Sequence, residues 1–198
     1  MNILPKNKEK KDNSVTSKQT ILKQNVTNKI EFFKIIKDIT SNETVQEMKK
    51  YRQHCNTSCY EHCIRVAYYS YWITKKLGLD YISTARAAML HDLFLYDWRK
   101  SHREVKLDGL HAFIHPKIAL KNAIEIFDLN KKEQDIISKH MRPVTLALPK
   151  YTESYIVTFM DKYSAIKESY TYFQSQLKKN RIYKYAYVFL SLIIFRIV

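Results

Sequence analysis

Residues 81–92, YISTARAAMLHD, are the stretch of the chain that decides its fold. Asp80 precedes them as a residue that favours a helix N-cap. Three alanines within the stretch allow a helix to pack closely against its neighbours. The stretch ends in the adjacent pair His91-Asp92, an imidazole and a carboxylate, which are ligand types that bind divalent transition metals. These features predict a buried helix with a metal-binding end.

The composition favours an all-α protein. The chain has 198 residues, of which 45% are hydrophobic, so it is long enough for one domain with a hydrophobic core. It contains only 2 Gly and 4 Pro, which leaves few residues for turns. Long helices joined by short connections are therefore expected.

The positive charge lies mostly at the two ends. Of the net charge of +15, residues 1–30 contribute seven Lys against two acidic residues, and residues 162–198 contribute seven basic residues against one Glu. Residues 1–28 are polar and Lys/Asn-rich, which predicts a flexible basic leader, and residues 29–198 are predicted to form a single helical domain. We interpret the basic ends as solvated and expect no stable nucleic-acid complex.

No part of the sequence is typical of a signal peptide or a transmembrane helix, although the apolar C-terminal stretch could also lie at a membrane surface. It has no run of 18 apolar residues, and residues 1–30 contain no apolar core of a signal peptide, so we expect a cytoplasmic protein without a transmembrane segment. Residues 183–198 are apolar nearly all round, which favours a helix that packs on the domain or on the partner in a homodimer. Pro116 favours a helix that starts at His115, after an irregular stretch over 93–114.

Further potential ligands follow one another along the chain, one in each predicted helix. They are His62, His115, His140 and Asp161. Each lies in or beside an apolar run, where an unpaired polar group is costly to bury. Taken singly, each is interpreted as a hydrogen-bonded core residue. Together with His91-Asp92, the order H…HD…H…H…D across five helices predicts a shared metal centre.

The sequence resembles the HD superfamily of metal-dependent phosphohydrolases, over roughly residues 56–165. The residues that carry the resemblance are His62 in EHCIRVA, His91-Asp92 in AAMLHD, His115 in HPKIALKNA, His140 in IISKH and Asp161 in VTFMDKY. The resemblance implies an all-α HD-domain helical bundle. It is greatest to the two-metal branch, which includes cyclic-dinucleotide phosphodiesterases and a dinucleoside-polyphosphate hydrolase family, and Arg65 fits that second family's His-x-x-Arg-Val pattern.

The resemblance also implies roles. Asp92 would bridge two divalent metal ions, with His62, His91 and Asp161 around one and His115 and His140 at the other. Iron or manganese is expected, and Zn, Mg, Ni or Co would also suit such ligands. The implied reaction is hydrolysis of a small phosphomonoester or phosphodiester, expected to be nucleotide-like, by a hydroxide that bridges the metals, with His91 and Asp92 as its catalytic residues.

Basic residues near the ligands are candidates for contacts with the substrate phosphate. They are Arg65, Arg99, Lys100 and Arg142, with His111 as a candidate outer-layer or substrate contact. Two departures from the family pattern bear on the substrate: one removes a frequent phosphate contact, and the other counts against a cyclic dinucleotide. Leu95 stands where many two-metal members have Lys, and the Gly-Tyr-Pro signature of the cyclic-dinucleotide branch is absent.

Two alternatives remain open from the sequence. Certain HD-superfamily oxygenases use the same six-ligand order to hold a mixed-valent pair of irons. The other alternative is a non-catalytic binding module whose basic ends dock on nucleic acid or a membrane. Cys55, Cys59 and Cys63 are spaced to share one helical stripe, and we interpret them as small buried residues rather than as ligands.

Overall fold

The structure is a computed structural model that describes residues 7–100, 110–179 and 185. The predictions for 101–109, and for 183–198 apart from Tyr185, lie outside these residues. The described helices are α1 (Asn7–Ile35), α2 (Lys37–Thr40), α3 (Glu43–Glu47), α4 (Cys59–Lys76), α5 (Tyr81–Leu90), α6 (His111–Ile126), α7 (Lys131–Lys139) and α8 (Thr152–Lys179). A short 3-10 helix (Met48–Lys50) and an antiparallel hairpin of β1 (Arg52–His54) and β2 (Thr57–Ser58) precede α4. The predicted all-α class is confirmed.

Local sequence signals fix the ends of the central helices. Ser58 begins α4 with a capping box, in which its hydroxyl accepts from the Glu61 N–H and the Glu61 carboxylate accepts from the Ser58 N–H. Asn130 begins α7 with the same reciprocal arrangement. Asp80 caps α5, as predicted, by accepting from the backbone of the third residue after it. Gly78, with φ +68°, ends α4 in the left-handed region that favours glycine.

The segment before α4 differs from the single long helix that its apolar spacing indicates. The described backbone breaks after Ile35 into short helices and the hairpin. The spacing of Ile30, Phe33, Ile36 and Ile39 predicts one buried stripe. Ile36 and Ile39 are buried, but Ile30 and Phe33 are exposed and Phe32 is buried instead. The hairpin turn at Cys55, with φ 50°, has no strong signal in the sequence.

The helix that carries His115 begins one turn earlier than predicted. It starts at His111, so Pro116 lies inside α6 rather than in its first turn. This difference has a consequence for the site, because residues four apart lie on the same helical face. His111 and His115 are therefore neighbours on α6.

The residues predicted to be a leader are helical where the structure describes them. Residues 7–28 belong to α1, which continues without interruption to Ile35. The division of the chain into a flexible leader and one domain stays a prediction. In the described residues, no helix has the length and apolar character needed to cross a membrane.

Helix α4 lies at the centre of the bundle. It packs against α5 on one side and against α8 on another, while α7 contacts α5, α6 and α8. The buried side chains between these helices include Val66 and Tyr71 of α4, Leu90 of α5 and Ile136 of α7. This packing brings the C-terminal ends of α5 and α7 together, and each of these ends carries a polar residue into the interior.

Candidate metal centre

Six imidazole and carboxylate side chains from five helices meet inside the bundle. They are His62 of α4, His91 and Asp92 at the end of α5, His115 of α6, His140 at the end of α7 and Asp161 of α8. We call these six residues the metal centre. All are buried, and the most exposed of them, Asp161, is only 8% exposed. The predicted ligands are thus brought together by the fold.

Asp92 lies in the middle of the cluster. Its Oδ1 atom is 3.2 Å from Nε2 of His115 and 3.4 Å from Nε2 of His140. Its Oδ2 atom is 3.4 Å from Nε2 of His91. One carboxylate therefore faces imidazoles on both sides, as a bridging ligand would.

Asp161 lies on the His62 side of the cluster. Its Oδ1 atom is 3.0 Å from Nε2 of His62 and 3.8 Å from Nε2 of His91. These contacts divide the cluster into two groups of side chains that share Asp92. His62, His91 and Asp161 line one half, His115 and His140 line the other, and Asp92 lies between them.

Backbone carbonyls fix the orientation of three of the imidazoles. The Nδ1 contacts are His91 with the Ala88 carbonyl at 2.8 Å, His115 with the His111 carbonyl at 2.9 Å and His140 with the Ile137 carbonyl at 2.8 Å. A carbonyl oxygen only accepts hydrogen bonds, so each Nδ1 donates and the neutral ring carries its lone pair on Nε2. All three Nε2 atoms face the centre, which is the arrangement that metal-binding histidines adopt.

Glu168 orients the fourth imidazole. Nδ1 of His62 lies 3.1 and 3.2 Å from the two oxygens of this carboxylate, which leaves Nε2 to face Asp161. Glu168 is nearly fully buried and also forms an ion pair with Arg65. A carboxylate that holds the far nitrogen of a histidine is a common support for a metal ligand.

The ionisation of the cluster follows from burial and mutual contact. Burial raises the pKa of both Asp92 and Asp161, but the surrounding imidazoles more than offset this and hold each pKa well below its usual range. Burial likewise opposes protonation of His62 and His91, yet the neighbouring carboxylates raise the pKa of each well above its usual value. Burial lowers the pKa of His140. The centre therefore favours positive charge around two buried anions.

Three observations fit this site to divalent metal ions. Among the described residues, Nε2 of His91 and Oδ1 of Asp92 are buried without a hydrogen-bond partner. The Nε2 atoms of His115 and His140, both with lone pairs, lie 2.9 Å apart. Two nitrogens that bind one ion at the usual length of about 2.1 Å lie roughly 3.0–3.4 Å apart, close to this distance. The residues present therefore suit cations on either side of Asp92.

Ligand triads can be drawn on both sides of the cluster. Potential ligand atoms of His62, His91 and Asp92 lie within 4.8 Å of one another, and so do those of Asp92, His115 and His140. A third such group joins His91 and His140 with Asp161. Asp92 belongs to the first two groups, and its bridging role stays a prediction.

Two cysteines support the same corner of the bundle. Sγ of Cys59 donates to the Asp92 backbone carbonyl at 3.1 Å, and Sγ of Cys63 lies 3.7 Å from Nδ1 of His91. Burial raises the pKa of both thiols, and potential ligand atoms of Cys59, Cys63 and Asp92 also lie within 4.8 Å of one another. Cys55 is exposed in the hairpin turn, so the interpretation of all three cysteines as buried is wrong for Cys55.

Two of the cations predicted to contact phosphate are paired with carboxylates. Arg65 lies one turn from His62, but its guanidinium is directed to Glu168. Arg99 pairs with Asp97, which precedes it by two residues. Nε of Arg99 lies 3.0 Å from Oδ1 of Asp97, and Nη2 lies 3.2 Å from Oδ2. In this arrangement Arg65 acts as support for the His62–Glu168 pair, and substrate contact by either arginine stays a prediction.

Arg142 and Lys100 are placed differently. Among the described residues, neither side chain has a carboxylate within ion-pair distance. Arg142 is half-buried in the turn that directly follows His140, and Lys100 is exposed at the last described residue before 101–109. Arg142 is therefore the better placed of the two to meet an anion at the centre.

His111 is part of an aromatic stack beside His115. Its ring lies 4.5 Å from the His115 ring at an angle of 18°, and 5.3 Å from the Trp98 ring at 15°. The Tyr96 hydroxyl lies 3.0 Å from Nδ1 of His111, and burial raises the pKa of Tyr96 to about 12. His111 therefore lies directly beside His115, and its role as an outer-layer or substrate contact stays a prediction.

Several residues of the site have no role in the sequence-based prediction. Gln53 of the hairpin donates from Nε2 to Oδ2 of Asp92 at 2.5 Å, and Lys162 donates to the His140 carbonyl at 3.1 Å. His54, interpreted from sequence as a surface residue, packs edge-on against His62 with ring centroids 5.1 Å apart. Glu168 alone had a usable signal, because it follows Asp161 by seven residues and so shares its helical face.

The fold and the cluster together define a helical bundle with a candidate binuclear metal site. A family model described as HD domain matches residues 59–166, more than half of the chain. The protein therefore belongs to the HD-domain family, a superfamily of metal-dependent phosphohydrolases whose members bind divalent metals. A search of curated proteins and a search of solved structures each gave no match to the chain.

Proposed function

We propose that the protein is a two-metal phosphohydrolase that cleaves a small phosphomonoester or phosphodiester, with a nucleotide-like group as the expected substrate. The observation that carries the proposal is the position of Asp92 between two sets of imidazoles whose Nε2 atoms face it. A buried anion that is shared in this way supports two cations rather than one. Iron or manganese suits a ligand set of four histidines and two carboxylates.

The protein's own residues have distinct tasks in this proposal. His62, His91 and Asp161 would hold one cation, and His115 and His140 the other, with Asp92 common to both. Divalent cations, when bound, lower the pKa of a water molecule that they hold, and they neutralise negative charge on phosphoryl oxygens. The backbone carbonyls and Glu168 keep each Nε2 lone pair turned inward, so that little reorganisation accompanies the reaction.

Cations at the rim support the choice of an anionic substrate. Lys162 Nζ lies 3.5 Å from Oδ2 of Asp161, and Arg142 follows His140 by two residues. Either side chain could reach a phosphate oxygen on a substrate at the metals. A charge-assisted contact of this kind contributes about 1.5–3 kcal/mol to binding.

Activity against a substrate panel tests the proposal. The protein, loaded with iron or manganese, is incubated with phosphomonoesters, nucleotides and dinucleotides, once in air and once without oxygen. The matched pair of variants is Asp92→Asn in the centre and Asp128→Asn, an exposed carboxylate on the loop before α7. We expect phosphate or nucleotide release that does not depend on oxygen, falls at least about 1,000-fold in Asp92→Asn and is unchanged in Asp128→Asn.

Other outcomes would separate the alternatives. Turnover that consumes oxygen, with a mixed-valence iron signal, would replace the hydrolase with the oxygenase. Binding to nucleic acid or vesicles that falls steeply with salt and persists in Asp92→Asn, without hydrolysis, would favour the binding module.

A further inference from the structure

Helix α8 buries several polar side chains, besides Val157 and Met160, and exposes a row of large aromatic and aliphatic side chains. Its buried positions include Ser154, Thr158, Asp161, Ser164 and Glu168, which face the bundle and the metal centre. Among its exposed positions is a row of large aromatic and aliphatic side chains, namely Tyr155, Phe159, Tyr163, Ile166, Tyr170 and Phe173. We call these six residues the outer face of α8. A helix on the surface of a monomer normally has the opposite arrangement.

The spacing of the outer face is that of a coiled-coil seam. From Phe159 onward the apolar positions are separated by 4, 3, 4 and 3 residues, up to Phe173. This period of 3.5 residues keeps one stripe in contact with another helix as the two wind around each other. The partner indicated by the spacing is therefore a helix rather than a sheet or a flat surface.

The area of the outer face matches that of a stable dimer. Its six side chains have exposed fractions between 45% and 71%. With about 200 Å² for a fully exposed aromatic side chain, these fractions amount to roughly 650 Å² for one copy and about 1,300 Å² for two. Specific protein interfaces bury about 1,200–2,000 Å² in total, and isolated apolar patches on monomers are smaller.

Two lysines flank the seam, and both are held on their own bundle. Lys162 Nζ donates to the His140 carbonyl at 3.1 Å, and Lys167 Nζ donates to the Tyr69 hydroxyl at 2.8 Å. Other positions beside the seam are uncharged, such as Ser169 and Gln174. Both lysines keep their positive charge, and these hydrogen bonds direct each ammonium group to its own bundle.

We propose that the outer face of α8 is a homodimer interface, where the α8 helices of two copies pack along their aromatic stripes. A second copy fits because it presents the same stripe, with the same period, in a two-fold arrangement. The expectation of a homodimer from the sequence concerned residues 183–198, whereas this interface lies on described residues of α8. The proposal does not depend on the reaction at the metal centre.

Sedimentation velocity over a micromolar concentration series tests the interface in the full chain. The matched variants are Ile166→Glu on the outer face and Ile30→Glu on α1, since these isoleucines are 71% and 66% exposed. We expect the wild type and Ile30→Glu to have twice the chain mass of 23.7 kDa, and Ile166→Glu to be a monomer. The dissociation constant should rise about 30-fold or more, because a charge replaces a central apolar contact in both copies.

Circular dichroism of each variant accompanies the mass measurement, so that a misfolded variant is recognised. If Ile166→Glu misfolds, Ile166→Ser provides the same test with a smaller polar side chain. A monomeric wild type would overturn the proposal. So would a folded Ile166→Glu that stays dimeric, or loss of the dimer in both variants, since the interface would then not be specific to α8.

Discussion

The Nε2 atoms of His115 and His140 lie 2.9 Å apart in the buried centre. Each ring donates its Nδ1 hydrogen to a backbone carbonyl, so both Nε2 atoms carry lone pairs. Two lone pairs at this distance repel each other unless a proton or a cation lies between them. Burial lowers the pKa of His140, which disfavours a proton on that ring.

Removal of metal should destabilise the fold. An ion that binds only the folded state stabilises it by about 2.7 kcal/mol at 100 times its Kd. For a chain of this size that corresponds to a fall in Tm of about 5–10 °C on addition of a chelator. Differential scanning calorimetry with and without chelator measures the shift. Asp92→Asn, which lacks the shared ligand, should show little or no shift, and an equal shift in both proteins would contradict the assignment.

Substitution of Glu168 should weaken metal binding, although the Glu168 side chain itself would not contact the metal. Glu168→Gln removes the charge that holds Nδ1 of His62 and pairs with Arg65. Loss of such a support lowers metal affinity by about 10- to 100-fold. Competition with a chromophoric chelator measures the affinity. Glu125→Gln, at an exposed position of α6, is the control and should bind as the wild type does.

Gln53 should stabilise the metal-free protein through Asp92. Its amide donates to the buried Oδ2 atom at 2.5 Å, and a hydrogen bond to a charged group contributes about 1.5–3 kcal/mol. Gln53→Ala should therefore lower the free energy of unfolding by about that amount in urea titrations of the metal-free protein. Gln19→Ala, at an exposed position of α1, should change it by less than about 0.5 kcal/mol. Equal effects would mean that the Gln53 contact contributes nothing specific.

Asp135 should give the fold a pH-dependent stability. Burial raises its pKa, but Lys139, the Ser154 hydroxyl and the Lys150 N–H more than offset this and lower the pKa below its ordinary value of 3.8. The ionised form therefore stabilises the fold above that value, and the contribution is lost as the pH falls through the lowered pKa. The difference in Tm between the wild type and Asp135→Asn should be largest near pH 7 and shrink towards pH 3. A difference that is constant with pH would refute this.

The clustering of the six candidate ligands could be predicted from the sequence because several of them lie on helices with clear boundary signals. Ser58, Asp80 and Asn130 cap the helices that carry His62, His91 and His140. The supporting contacts could not be predicted in the same way. Gln53 reaches Asp92 from a strand of three residues, whose register depends on tertiary packing rather than on local propensity.

The contacts of the basic residue Arg65 could not be predicted, because its partner is distant in sequence. Arg65 shares a helical face with His62, as its spacing predicts, but Glu168 lies 103 residues away and pairs with it. No local pattern indicates such a pairing. The outer face of α8 could have been found from its spacing of apolar residues, although only the structure places that stripe opposite Asp161 and Glu168.

Elemental analysis of protein purified without chelator tests the metal centre most directly. The wild type and Asp92→Asn are prepared in parallel, and their metal content is measured against protein concentration. The structure predicts two equivalents of divalent transition metal in the wild type and fewer than one in the variant, because Asp92 is shared by both halves of the site. Wild-type protein without bound metal, or equal metal content in both preparations, would contradict the account.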